Sequence, residues 1–87
     1  MPILRIEHPV PDFAGWKRAF DSDPADRKGS GVRRYQVMRS VEDPNYVMID
    51  LEFDSLEEAE GLLTKMRRVW SGEGQARIVD SVESREL

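Results

Sequence analysis

Residues 46 to 70, "YVMIDLEFDSLEEAEGLLTKMRRVW", change periodicity once, from two to about 3.6. Val47, Ile49, Leu51 and Phe53 fall on one side of an alternating strand. Tyr46, Met48, Asp50 and Glu52 fall on the other. Ser55 stands at an N-cap position with Glu58 three residues on, the spacing of a capping box. Leu56, Ala59, Leu62, Leu63, Met66, Val69 and Trp70 then form one apolar stripe at helical spacing. A strand that runs into a long amphipathic helix needs a sheet for that helix to cover, so the remaining segments are read as partners for this unit.

The N-terminal segment supplies one. In residues 2 to 8, "PILRIEH", Leu4, Ile6 and His8 share one side while Ile3, Arg5 and Glu7 share the other. Pro9 and Pro11 end the ladder because neither has a backbone donor. Asp12 is a suitable N-cap for "FAGWKRAFDS", in which Phe13, Trp16, Ala19 and Phe20 recur at helical spacing. Gly15 costs that helix about 1 kcal/mol against alanine.

"DSDPADRKGSG" reads as a loop with a helical turn that Asp23 caps and Pro24 opens. Residues 32 to 40, "VRRYQVMRS", form a second strand. Val32, Arg34, Gln36 and Met38 alternate with Arg33, Tyr35, Val37 and Arg39, and the mixed faces suit a charged edge strand. "VEDPN" turns this strand back into residues 46 to 53 as a hairpin. Gly72 and Gly74 mark the exit from the long helix, residues 76 to 83 make a fourth strand, and the last four residues are a tail.

The element order is therefore β-α-β-β-α-β. Two right-handed crossovers around a hairpin give an α+β sandwich: a four-stranded antiparallel sheet, strand order 4-1-3-2, with both helices on one face. At 87 residues the chain makes one domain with a thin core. The uncovered face then carries Ile3, Arg5, Glu7, Tyr46, Met48, Asp50 and Glu52 from the two central strands. A homodimer through this open face would bury its apolar members, although a single wet face is also allowed.

Two chemistries compete for the polar residues. Arg5, Glu7, Asp50 and Glu52 read either as a cross-strand salt-bridge ladder or as a carboxylate pair, Asp50 and Glu52, doing acid–base work in a confined cavity. His8 is the only histidine and is the best general base by its ordinary pKa. It is placed at the mouth of a pocket between helix and sheet, near Trp16. Trp16, Tyr35 and Trp70 either line such a pocket or belong to the core. The "DRKGSG" loop reads as a plain loop, a weak anion site or a lid.

Composition narrows the field. With no cysteine there is no disulfide, thiolate catalysis or cysteine metal site, and a lone histidine gives no metal spacing, so no metal or cofactor is expected. A net charge of −4, with Glu7, Asp50 and Glu52 on the open face, argues against a nucleic-acid surface, so no nucleic-acid partner is expected. No run is long enough to span a membrane and the start lacks a signal-peptide pattern, so the expected location is cytoplasmic.

With the β-α-β-β-α-β order and the segments "DFAGWKRAF", "GVRRYQVMRSVEDPN" and "IDLEFDSLEEAEGLL", the chain resembles the dimeric α/β-barrel superfamily of ferredoxin-like proteins, the antibiotic-biosynthesis-monooxygenase-like group in particular. It looks most like small actinobacterial members without an assigned role. Relatives of this kind include cofactor-independent quinone-forming monooxygenases, heme-degrading monooxygenases, lactone isomerases and stress-response barrels. The resemblance implies the fold and the dimer and leaves the activity open. Two functions are carried forward. One is a small dimeric protein that binds an organic ligand. The other is a cofactor-independent monooxygenase or isomerase acting on a small aromatic or polyketide-like molecule, with His8 as general base.

Overall fold

Strands β1 (Pro2–Pro9), β2 (Val32–Arg39), β3 (Tyr46–Phe53) and β4 (Gln75–Asp80) form one sheet in the order β2-β3-β1-β4. Every neighbouring pair is antiparallel. The structure is a computed structural model that describes residues 1–70 and 72–87. Helices α1 (Phe13–Asp21) and α2 (Leu56–Val69) complete the β-α-β-β-α-β order expected from the periodicities.

The sheet is anchored by β3, which alternates half-buried and buried without a break. Its register sets Leu4 opposite Leu51 and Ile6 opposite Ile49, so one face of the two central strands is continuously apolar. Leu4, Val47 and Phe53 are fully buried there. From α2, Ala59, Leu62 and Leu63 press onto this face. Each such aliphatic or aromatic side chain contributes about 1.5–3 kcal/mol on burial.

Both helix starts are capped as expected. The Gly15 N–H donates to Asp12 Oδ2 at 2.9 Å, and the Glu58 N–H donates to Ser55 Oγ at 3.2 Å. The Ser55 hydroxyl also donates to Glu58 Oε1 at 3.1 Å, so the two side chains of the capping box meet.

Several local expectations are corrected. Leu56 and Val69 are 52% and 83% exposed, outside the core. At about 100° per residue they sit on opposite flanks of the stripe, roughly 60° and 80° from Ala59, and at the two helix ends, where the sheet no longer reaches them. A bulge in β2 between Val32 and Arg34 shifts its phase. Val32 therefore joins Tyr35 and Val37 on the helix-side positions, opposite Phe53, Leu51 and Ile49. Strand β4 ends at Asp80, three residues early, and residues 81–87 carry no regular structure.

The two helices cover the sheet unequally. Helix α1 buries no residue completely. It presents an aromatic row instead: Phe13 and Trp16 have centroids 5.9 Å apart, and Trp16 stacks on Phe20 at 5.2 Å. These rings pack against the core only in part, and a space remains between α1 and α2.

Candidate ligand-binding site

That space is a cavity of about 270 Å3. Ile6, Ile49 and Leu51 of the sheet form its floor. Trp16, Ala19 and Phe20 of α1 make one wall, and Leu62 and Met66 of α2 make the other. Pro24, Ala25 and Arg27, from the segment after α1, close one end. His8 stands at the other end. An adjoining hollow of about 280 Å3 shares Ile6, His8 and Met66 and is completed by Val69 and Trp70.

His8 reaches this place because strand alternation puts it in phase with Leu4 and Ile6. Its ring lies 6.2 Å from that of Trp16 and 6.0 Å from that of Trp70. Its Nδ1 is 3.0 Å from the Pro9 carbonyl oxygen. A carbonyl only accepts, so the bond requires the proton on Nδ1, and in the neutral ring the lone pair is left on Nε2. The geometry can offer a single proton acceptor beside an apolar slot.

Helix spacing and loop chemistry position the rest. Arg27 is held by a hydrogen bond from Nη1 to the Phe20 carbonyl oxygen at 2.7 Å. Its guanidinium carbon lies 3.9 Å from the Phe20 ring centroid and 4.7 Å from that of Tyr35. Tyr35 packs edge-on to Phe20 at 5.4 Å and is 47% exposed. Of the three aromatic residues expected to line a pocket, Trp16 lines the cavity and Trp70 the adjoining hollow. Tyr35 lies behind Phe20 and borders a different, basic hollow of about 480 Å3. The cause is the edge position of β2, which sets Tyr35 beyond the α1 aromatic row.

The polar residues of the open face form a separate group. Arg5 Nε and Nη2 donate to the two carboxylate oxygens of Asp50 at 2.9 and 2.8 Å. Arg34 Nε lies 3.3 Å from Glu52 Oε2. Glu7 Oε1 accepts from Gln75 Nε2 at 2.8 Å and from the Tyr46 hydroxyl at 2.9 Å. These bonds hold the Glu7 carboxyl below the usual glutamate range, and the bond to Glu7 pushes the Tyr46 hydroxyl up. The Arg5 guanidinium is raised by its hydrogen bonds to Asp50 and by that carboxylate's charge. Ile3 and Met48 share this face, half-buried.

Asp50 and Glu52 are thus engaged by arginines on the far side of the sheet from His8. Within one chain, His8 on the helix side and the pair Asp50 and Glu52 on the open face are therefore two separate candidate sites. Asp50 and Glu52 stand at ion-pair distance from Arg5 and Arg34, whereas Glu7 is bonded to the neutral partners Gln75 and Tyr46. Among the described residues no group of three His, Cys, Asp or Glu side chains is placed to hold a metal ion. The sequence put Leu62 and Met66 on the apolar stripe of the second helix without showing that they wall a cavity, and it left the Arg27 loop as a plain loop, a weak anion site or a lid.

No protein-family model matches the chain, and no curated protein sequence matches it. Solved structures do. SnoaB, a cofactor-independent oxygenase from Streptomyces nogalater, superposes with a TM-score of 0.69 at 11% identity, covering 95% of this chain and 93% of that one. An antibiotic biosynthesis monooxygenase superposes at 0.59 with 12% identity, covering 95% and 100%. A dimeric ferredoxin-like protein from an uncultured marine organism superposes at 0.67 with 9% identity, covering 97% and 96%. Other similar structures come from Deinococcus radiodurans, Nitrosomonas europaea and Bordetella bronchiseptica, so the likeness does not single out actinobacterial members. At these identities the likeness is one of fold: the chain has the ferredoxin-like fold that these structures share.

Proposed function

We propose that this chain binds a small, flat, largely apolar organic molecule in the slot between α1, α2 and the sheet, with His8 Nε2 as its polar contact. The observation that carries this reading is the lining: aromatic and aliphatic side chains around about 270 Å3, with His8 at one end. That volume lies just below the usual range for small-molecule sites, so the reading favours a ligand of two fused rings or fewer. Trp16 and Trp70 flank His8, and their fluorescence reports occupancy. Titration with 2-naphthol is expected to quench that emission saturably, and His8→Ala to weaken binding about threefold to tenfold, the worth of one hydrogen bond. Emission that never saturates would remove the slot as a site.

A second reading is favoured by the lone pair at the slot's end. His8 Nε2 could take the proton of a ring hydroxyl and leave an electron-rich anion, the form of an aromatic substrate that reacts with oxygen or isomerises without a cofactor. SnoaB, of like fold, is described as a cofactor-independent oxygenase. Oxygen uptake with hydroxyaromatic substrates, lost in His8→Ala with binding of the substrate retained, would support it. Binding without any turnover would leave the chain a ligand-binding protein.

The same reading includes a homodimer through the open sheet face. Along the register that face carries Arg5, Arg34 and Arg77 against Glu7, Asp50 and Glu52, so it is electrically balanced and a second copy can meet it without net repulsion. Sedimentation is expected to give twice the 10.0 kDa chain mass at tens of micromolar. Among the described residues no helix is long and apolar enough to cross a membrane, which fits the proposal of a cytoplasmic protein.

A further inference from the structure

The slot has two unlike ends, and Arg27 stands at one of them. This residue lines both the apolar slot and the basic hollow at the β2 edge. The hollow is bordered by Arg27, Lys28, Arg33 and Arg34, with Asp23 its one acidic member. Four cations around one depression contrast with a chain that carries 13 basic and 17 acidic residues. Arg33 and Arg34 are partly neutralised by Asp54 and Glu52, at 2.7 and 3.3 Å. Lys28 has no carboxylate within ion-pair distance among the described residues, and Arg27 has only Asp23, at 3.5 Å. The Arg27 side chain is 16% exposed and is fixed by its bond to the Phe20 carbonyl and by two ring faces, so its charge is held in place. At the opposite end His8 is surrounded by Trp16, Trp70, Ile6, Met66 and Val69, with no cationic side chain lining that hollow.

We infer that the ligand carries an anionic group, a carboxylate or similar oxyanion, at the end away from the one His8 contacts. The apolar body lies in the slot. The anion passes Arg27 into the basic hollow, where Lys28 adds charge. Arg27 is then the residue that orients the ligand, because in the reverse orientation the anion would exchange a fixed guanidinium for His8, the one ionisable side chain lining the other hollow among the described residues. This inference rests on the slot being a binding site and adds the ligand's polarity and direction.

The test uses two probes of nearly the same shape, 2-naphthylacetate and 2-naphthylacetamide, titrated into the intact protein by calorimetry. The acetate is expected to bind about tenfold tighter at low salt, as a charge-assisted hydrogen bond requires. That advantage should shrink as sodium chloride rises from about 20 to 300 mM, since exposed charges are screened over this range, while amide binding stays level. Arg27→Met should cost the acetate more than the amide, so that the ratio of their affinities falls toward one. Arg27 also braces the loop, so Lys28→Ala, at an exposed position, is the second variant and is expected to halve the acetate's affinity or more. Equal binding of the two probes, or equal loss of both in Arg27→Met with no effect of salt or of Lys28→Ala, would overturn the inference while the slot stands. If neither probe binds, the slot reading falls and this inference with it.

Discussion

Arg5 on β1 and Asp50 on β3 face each other directly across the antiparallel pair and are joined by two parallel hydrogen bonds of 2.9 and 2.8 Å. Asp50 is the better buried partner, with a side chain 13% exposed against 43% for Arg5. Asp50→Asn keeps the shape and removes the charge. It is expected to cost about 1–2 kcal/mol in urea unfolding, the worth of a charged hydrogen-bonded pair that water still reaches on one side. In the proposed dimer the pair would be sealed at the interface, and the same substitution should also shift sedimentation toward the monomer. An unchanged unfolding midpoint would show that solvent replaces the pair without loss.

Glu7 couples stability to pH. Its carboxyl is held below the ordinary value of 4.5 by hydrogen bonds from Gln75 and Tyr46. The unfolded chain therefore takes up this proton more readily than the folded one. The stabilisation is complete above pH 4.5 and is lost as pH falls through the lower folded value. Tyr46 acts in the opposite sense. Its hydroxyl is raised above 10.0, so its contribution is complete below that pH and disappears as pH climbs through the higher folded value. Glu7→Gln should flatten the acid limb of a stability–pH curve, and Tyr46→Phe the alkaline limb. A Glu7→Gln curve parallel to that of the parent at low pH would contradict the assignment.

Gly74 holds the His8 end of the slot. Its φ is +123°, a conformation L residues rarely adopt, and a Cβ there would collide with the Glu7 carbonyl oxygen, the His8 Cβ and the Trp70 ring. Gly74→Ala is expected to destabilise by about 1–3 kcal/mol and to shift tryptophan emission, since the Trp70 ring must move. Emission and thermal midpoint both unchanged would mean that the α2–β4 connection relaxes without touching the site.

The caps give an independent measure of local stability. Ser55→Ala and Asp12→Ala should each cost about 1 kcal/mol. They cap different helices, so the double variant should lose the sum. A strong excess over additivity in chemical denaturation would reveal coupling of α1 and α2 across the slot.

Much of this architecture was legible in the chain. The alternation through Leu4, Ile6, Val47, Ile49, Leu51 and Phe53 fixed which side of β1 and β3 faces the helices, because strand side chains have a strict period of two. The same rule put His8 on the helix side and Asp50 and Glu52 on the other, so their separation was implicit in the residue numbers. Asp12 and Ser55 marked the helix starts through their own side-chain chemistry. The bulge in β2 was not read from the chain, because the mixed faces of "VRRYQVMRS" also suit a charged edge strand, and only pairing with β3 places the extra residue between Val32 and Arg34.

The cavity was decided by tertiary packing alone. Periodicity shows that Trp16, Phe20, Leu62 and Met66 point toward the sheet. It does not show whether two such stripes close on each other or stand apart, because that depends on the shapes of side chains distant in sequence. Here the α1 aromatic row and the α2 stripe leave a slot between them, with His8 beside Trp16 and Arg27 against Phe20. Local backbone and capping preferences act over a few residues and can be read along the chain, whereas the spacing between two helices is set by three-dimensional contacts among residues that no local pattern relates.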